Sequence, residues 1–492
     1  MAGYRGPAEP LRYQIVEQRI VSLIESGALA SGAKVPSLRE AARSTGVSLT
    51  TATQAYAILE QRGILEARPR SGYYVRRTPA RLPDAGTPRT EAPEVRVVRR
   101  GELVRRAMDF MGREDVLPLG LAQVDPELLP GKDMGRILAS VLRQQSARSA
   151  NYGPVAGCPE LRRQIARRLA LAGVGAMPEE LITTCGATEG LALALRALAH
   201  PGDTVLIAAP TYHFFLHMIE VLGLRAIEIP SHPVSGIDLR DLTAALDRFP
   251  VAACVLSPTW NNPDGSLMEE NDKRLLVEIL TSRNVPLIED DVYGDITFSG
   301  PRPPACKAFD RQGMVTLVSS FSKSLAPGYR TGYVLPGQGL GARMLELKAM
   351  TTFASVTAVE LAVAEFLGRG LYERHLLRLN RALREQVEAM RDTVARHFPP
   401  GTKATHPKGG FMLWLELPED GISGTTLYHQ AAAEGIGISP GMLFGMTDRF
   451  ERFIRLNCGL IMNAKVMKAL QRVGQLAGNA PGQSLRRGLR QE

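Results

Sequence analysis

From Tyr152 onward, helical stretches alternate with short apolar runs such as Thr204 to Ala208, Ala253 to Ser257 and Pro286 to Glu289. Runs this short, largely apolar and set between helices, read as strands of a sheet covered on both faces. Most of the chain is thereby held to an α/β sheet covered by helices. At 492 residues it has room for two or three domains with large cores. Lys plus Arg outnumber Asp plus Glu by 59 to 50, which alone is ambiguous. The distribution says more: residues 1–80 hold 11 basic against 6 acidic side chains, over half of the net charge of +9. A basic N-terminal module points to a polyanionic partner. The five cysteines, Cys158, Cys185, Cys254, Cys306 and Cys458, are scattered, with no C-x-x-C pair and no histidine cluster at metal-ligand spacing. That predicts a reducing compartment, no disulfide framework and no metal site. The N-terminus has no apolar signal core, and no apolar run reaches the roughly 18 residues of a membrane span, so a cytoplasmic protein is expected.

Within the α/β region, Ser319-Ser320-Phe321-Ser322-Lys323-Ser324-Leu325-Ala326-Pro327-Gly328-Tyr329-Arg330 follows the strand-like run Met314 to Val318. A lysine at a strand-to-loop junction, with hydroxyls before it and an arginine seven residues on, fits a covalently held aldehyde cofactor with a phosphate. The neutral amine attacks the carbonyl, and hydroxyls with a guanidinium neutralise the dianion. By itself the pattern also fits a solvated basic loop. Leu181 to Glu189 reads as strand, glycine turn and helix start, leaving backbone amides at Ala187 and Thr188 free to hold a phosphate. Polar residues recur where strands should end: Tyr212 after Pro210, Asn262 in Trp260-Asn261-Asn262-Pro263-Asp264-Gly265, and Asp290 and Tyr293 in Glu289-Asp290-Asp291-Val292-Tyr293. Singly, these also fit a half-buried aromatic, a turn former and a surface acid.

In the basic module, Ile15, Val16, Ile20, Leu23 and Ile24 recur at helical spacing, which predicts an amphipathic helix over Leu11 to Ser26. Ser37-Leu38-Arg39-Glu40 fits a capping box opening a second helix, and Gly46 closes it. Ser48 can cap a third helix through Leu59, burying Ala52, Ala55, Tyr56 and Leu59 and exposing Leu49, Thr50, Thr51 and Thr53. Ile64 to Arg68 and Tyr73 to Arg77 flank Pro69-Arg70-Ser71-Gly72, a hairpin with a basic tip. Three helices and a hairpin make a winged helix-turn-helix. Pro36-Ser37-Leu38-Arg39, Ala55-Tyr56-x-x-Leu59-Glu60-x-x-Gly63 and Arg68-Pro69-x-Ser71-Gly72-Tyr73 resemble the GntR family of DNA-binding domains. The resemblance implies DNA contacts at Arg39, Ser48, Thr50, Thr51, Thr53 and Gly72. Leu49 stands where that family often has an arginine, and an apolar side chain there suits a thymine methyl.

Residues 79–100 carry Pro79, Pro83, Pro88 and Pro93 among small and charged residues, which predicts an extended tether between a head at 1–78 and a body at 101–492. Across the body, Tyr152-Gly153-x-x-x-Gly157, Gly186-Ala187-Thr188, Pro210-x-Tyr212, Asn262-Pro263-x-Gly265, Asp290-x-x-Tyr293 and Ser320-x-x-Lys323 with Arg330 follow in order. Together they resemble the class I aminotransferase family, fold type I among pyridoxal 5'-phosphate enzymes, over roughly residues 115 to 475. The resemblance implies that Lys323 carries the cofactor, Asp290 keeps the pyridine nitrogen protonated, Asn262 and Tyr293 hold the ring hydroxyl, and Tyr212 stacks on the ring. The Ala187 and Thr188 amides, Ser320 and Arg330 would bind the phosphate, joined by Tyr152 from a partner subunit. Arg455, in Phe453-Ile454-Arg455-Leu456-Asn457, matches the arginine that grips a substrate α-carboxylate. Asp264 replaces the usual threonine, and Ala122 stands where a glycine often lines the pocket.

A GntR-type head on an aminotransferase-like body is the layout of the MocR subfamily of transcriptional regulators. That resemblance implies a homodimeric regulator of double-stranded DNA whose body senses an amino acid, an amine or the cofactor itself, without steady-state turnover. A working aminotransferase carrying a DNA-binding head is the alternative.

Overall fold

In the N-terminal unit, residues 1–80, the capping residues set the helices. The computed structural model describes residues 12–25, 28–29, 32–62, 64–68, 71–75, 82–87 and 93–478. Helix α1 spans Arg12–Glu25, α2 Leu38–Thr45 and α3 Leu49–Gln61, two residues beyond the expected end. At α2 the expected capping box forms in both directions: the Glu40 amide donates to Ser37 Oγ at 3.3 Å, and the Ser37 amide donates to Glu40 Oε2 at 2.7 Å. Gly46 then takes φ +68°, a left-handed cap open to a residue without Cβ. Ala52, Ala55, Tyr56 and Leu59 are fully buried, and the Tyr56 hydroxyl donates to Pro36 O at 2.7 Å. Strands β1 (Leu65–Arg68) and β2 (Gly72–Val75) pair antiparallel. The remaining parts of the expected hairpin, Pro69, Arg70, Arg76 and Arg77, lie outside the described residues. Losing the α2 cap through Ser37→Ala should destabilise this unit by about 1 kcal/mol, read as a lower melting midpoint.

The second unit, residues 81–492, is built on the apolar runs. Its strands are β3 (Arg96–Val97), β4 (Ile182–Thr184), β5 (Thr204–Ala209), β6 (Arg225–His232), β7 (Gly236–Ile237), β8 (Ala253–Leu256), β9 (Leu287–Asp290), β10 (Val315–Ser320) and β11 (Gly332–Leu335). They order as β3-β6-β5-β8-β9-β10-β11-β4, with β7 on β6. The central strands β6, β5, β8, β9 and β10 run parallel. Four of them, β5, β8, β9 and β10, are buried along their whole length; β5 and β8 read as near-continuous apolar runs, whereas β9 and β10 end on the polar pairs Glu289-Asp290 and Ser319-Ser320. In such a sheet ligands bind beyond the carboxyl ends of the strands. Asp290 is the last residue of β9, Ser320 the last of β10, and Tyr212 follows β5 by three residues.

A smaller antiparallel sheet, β12 (Lys403–Ala404), β13 (Met412–Glu416), β14 (Ser439–Pro440) and β15 (Phe453–Asn457), orders as β12-β13-β15-β14. The 27-residue helix Leu371–His397 and the helix Ala464–Ala477 bury its apolar face. The stretch expected as a tether is described at 82–87 and 93–100, and there it is packed on this unit. Leu82 joins the core of the smaller sheet, the Ala404 amide donates to Pro83 O at 2.9 Å, and β3 pairs antiparallel with β6. No described helix is long and apolar enough to cross a membrane, and the described cysteines are free.

Candidate functional site

Ala187, Thr188, Tyr212, Asn262, Asp290, Tyr293, Ser320, Lys323 and Arg330, far apart in sequence, line one cavity with Val292 and Ser322. It encloses about 590 Å³ of empty space, its open mouth included. The Lys323 Nζ donates to Ala122 O at 2.7 Å. Desolvation, reinforced by the positive charge of Arg455, pulls the Lys323 amine down to about 8. A substantial fraction is then neutral and nucleophilic near pH 8. At the cavity floor Asp290 is 5% exposed and accepts the Val292 amide at 3.2 Å. Burial pushes its carboxyl up to about 7. A protonated heterocyclic nitrogen would supply the partner charge this carboxylate lacks.

Another part of the lining is built for an anion. Gly186, at φ +82°, turns the chain into the helix Ala187–Leu198, whose first amides face the cavity without a capping side chain. Arg330, at φ +48°, lays its guanidinium across that turn and donates to Cys185 O at 3.0 Å. A Cβ on Gly186 would meet Arg330 Nη2 at 2.5 Å, and the left-handed φ of +82° is what favours glycine there. Ser320 and Ser322 add hydroxyls. One cavity therefore brings together a depressed lysine amine, an anion cradle and a carboxylate suited to a cationic ring. That donor set fits pyridoxal phosphate.

Two expected residues sit apart from this lining. Tyr152 is 84% exposed, its ring edge-on to Phe353, and does not line the cavity of its own chain. Arg455 is fully buried behind the lining. Its Nη1 donates to Asn262 Oδ1 at 2.8 Å, its Nη2 donates to Gly120 O and, at 3.2 Å, to Ser439 Oγ, and its Nε has no partner among the described residues. All three acceptors are neutral, and burial pulls the guanidinium down to about 10. The buried guanidinium has no anionic partner among the described residues. Asp264 is buried, its Oδ1 accepting from Asn261 and Ser266, and desolvation raises it to about 6.

No sequence pattern singles out Phe444 or His213. The Phe444 ring lies 4.8 Å from Arg455 Cζ, and its carbonyl accepts the Thr211 amide at 2.9 Å. His213, 2% exposed, wedges its ring between those of Tyr212 and Phe444, and neither ring nitrogen has a partner among the described residues. Burial holds this imidazole well below its ordinary range, hence neutral.

In the head, the start of α3 is the exposed surface. Arg39, Ser48, Thr50, Thr53 and Gly72 are exposed and Thr51 half-buried. Leu49 is 48% exposed. Ser48 Oγ accepts the Thr51 amide at 3.1 Å and shares a hydrogen bond with the Thr51 hydroxyl at 2.8 Å, so both hydroxyls are engaged in the cap. Lys34, not singled out by its sequence pattern, bridges to Tyr74 and brings its stem near Gly72.

The aminotransferase class I and II family model matches residues 119–473, and that of the bacterial regulatory proteins of the gntR family matches 12–75. The uncharacterized HTH-type transcriptional regulator YdcR of Escherichia coli K12 is 35% identical over 468 residues, spanning 94% of this chain and 98% of its own length. The body superposes on a kynurenine aminotransferase of Pyrococcus horikoshii with a TM-score of 0.71 and 26% identity, over 76% of this chain and 94% of that one. The LysN α-aminoadipate aminotransferase of Thermus thermophilus, complexed with N-(5'-phosphopyridoxyl)-L-leucine, gives 0.70 and 26%, over 76% and 96%. The chain thus belongs to the aminotransferase class I and II family, whose members use pyridoxal 5'-phosphate, and, with its gntR-family head, to the MocR subfamily of GntR-type regulators.

Proposed function

We propose that this chain is a pyridoxal-phosphate-dependent DNA-binding transcriptional regulator whose body senses an amino acid or amine, acting as a homodimer in the cytoplasm. The observation that carries the reading is the union in one chain of a basic winged helix-turn-helix with an exposed recognition-helix start and a cavity holding Lys323, Asp290 and an anion cradle. Bound pyridoxal phosphate supplies an aldehyde that condenses with amines and a ring that draws electrons. Lys323 would provide the attachment amine, and Asp290 would hold a proton at the ring nitrogen. Asn262 and Tyr293 would hydrogen-bond the ring hydroxyl, and Tyr212 would stack on the ring. The Ala187 and Thr188 amides, Ser320 and Arg330 would hold the phosphate, with Tyr152 supplied by a partner subunit. Arg455 takes the effector carboxylate as a two-pronged donor.

On the DNA side, Arg39 and the start of α3, with Ser48, Thr50, Thr51 and Thr53, meet the duplex, and Gly72 lets the wing approach the backbone. Binding to the DNA upstream of the chain's own gene, followed by fluorescence anisotropy, should weaken linearly in log Kd against log salt. Arg39→Ala should cost about 1–3 kcal/mol of binding, or flatten the salt slope by about one if its contact is a phosphate. An affinity indifferent to salt would remove the DNA reading. The retained set of Lys323, Asp290 and Arg455 also favours a working aminotransferase. Sustained turnover of amino acids with 2-oxo acids by purified protein would establish that reading instead.

A further inference from the structure

Arg100, the last residue before helix α4 (Gly101–Met111), does not line the cavity, yet it is bound to two elements that adjoin residues of the site, one beginning after Tyr212 and one following Phe444. One is the helix His213–Val221, which begins directly after Tyr212. Near its far end Glu220 Oε2 accepts the backbone amides of Arg100 and Gly101, at 2.8 and 2.6 Å. The approach is close: a Cβ on Gly101 would meet His217 Nδ1 at 2.6 Å. The other is the segment after Phe444. The Arg100 guanidinium donates from Nε to Gly445 O at 3.2 Å, and from Nη2 to Met446 O at 3.0 Å and Asp448 Oδ1 at 3.3 Å. Phe444, immediately before these carbonyls, carries its ring over Arg455. From the other side, buried Glu228 on β6 accepts the Met446 amide at 2.6 Å and Arg449 Nη2 at 2.7 Å.

The segment is therefore gripped on one flank by the fixed sheet and on the other by the end of the stretch that leads back toward the head. Backbone carbonyls bound by a fork of guanidinium donors cannot move without displacing the arginine or breaking two directional hydrogen bonds. Within the same region Ala85, from the described upstream part of that stretch, and Val104 and Ala107 of α4 pack in one apolar cluster with Trp414, Phe444 and Phe453. Phe444 thus shares an apolar cluster with Ala85, Val104 and Ala107, and Arg100 is the residue that binds the carbonyls following it.

We infer that Arg100 is a positioning residue that holds the Gly445–Asp448 segment, and with it Phe444, over Arg455, and that it passes the occupancy of Arg455 by a ligand carboxylate to the segment preceding α4. The inference rests on reading Arg455 as the effector-carboxylate site. It requires the two occupancy states to differ in the contacts at Arg100, since coupling needs differential interaction and not proximity alone.

Hydrogen exchange followed by mass spectrometry on the full-length protein tests this. One state carries pyridoxal phosphate; the other carries N-(5'-phosphopyridoxyl)-L-leucine, which adds a carboxylate. In the wild type the carboxylate-bearing probe should slow exchange about tenfold more than pyridoxal phosphate, both at residues 444–448 and at residues 98–104. In Arg100→Ala the first segment should still respond and the second should not. Arg100→Lys, which keeps the charge and reaches one carbonyl, should give an intermediate response and guards against a variant that merely folds poorly. Equal responses at residues 98–104 in the wild type and Arg100→Ala, or none in the wild type, would overturn the inference while leaving the effector site intact. Uptake of pyridoxal phosphate without uptake of the leucine adduct would fail the reading of Arg455 itself, and with it the inference.

Discussion

Replacing Lys323 by alanine is expected to leave a folded protein that no longer retains pyridoxal phosphate through dialysis. The attachment needs a neutral amine beside an aldehyde, and the only hydrogen bond Lys323 Nζ makes among the described residues is to Ala122 O. What remains in the variant is the phosphate cradle and Asp290, which hold the cofactor without a covalent tie. At least a tenfold loss of retained cofactor, equivalent to about 1.4 kcal/mol, should follow, read as the disappearance of visible absorbance from the dialysed protein. A variant that keeps its absorbance would show that the attachment lies elsewhere.

Asp290→Asn is expected to act in opposite directions on the cofactor-free and cofactor-loaded protein. The Asp290 carboxyl is raised by burial from its ordinary 3.8 to about 7, so between these values the folded state binds more protons than the unfolded state. Its contribution to stability is therefore fully present below about pH 4 and lost as pH rises through about 7. Asparagine carries no such charge. The cofactor-free variant should melt above the wild type at pH 8, by an amount on the order of a few kcal/mol, and close to it at pH 4. With pyridoxal phosphate the order should reverse, because removing one partner of a buried charge pair costs about 3–5 kcal/mol. Melting curves at both pH values, with and without cofactor, check the inversion; a variant stabilised as strongly by the cofactor as the wild type would exclude Asp290 from pairing with the ring.

The residues that line the cavity were legible because they punctuate strands. Asp290 and Ser320 close buried strands, and it is their place in an ordered set of motifs that marks them, since the adjacent Glu289 and Ser319 are buried for structural hydrogen bonds instead. The head was legible for a different reason: capping is local chemistry, and Ser37, Glu40, Gly46 and Ser48 each act within four residues of themselves. What could not be read is what local pattern does not encode. Arg455 is shaped by Gly120, 335 residues away, and Phe444 and Arg100 matter only because the chain brings them to Arg455 and Gly445. The proline-bearing stretch before α4 misleads for the same reason. Its composition speaks of a tether, whereas Leu82 is buried at 8% exposure in a core whose helices and strands lie far downstream in the sequence.

That buried stretch sets a limit on how such proteins can be recombined. A head transplanted from another regulator with a junction at Gly101 would strip the outermost strand, Arg96–Val97, from the sheet and uncover the edge of β6, whose unpaired amides and carbonyls invite pairing with a second chain. A junction placed before Leu82 keeps that edge covered, so the transferable cassette is shorter than the proline content implies.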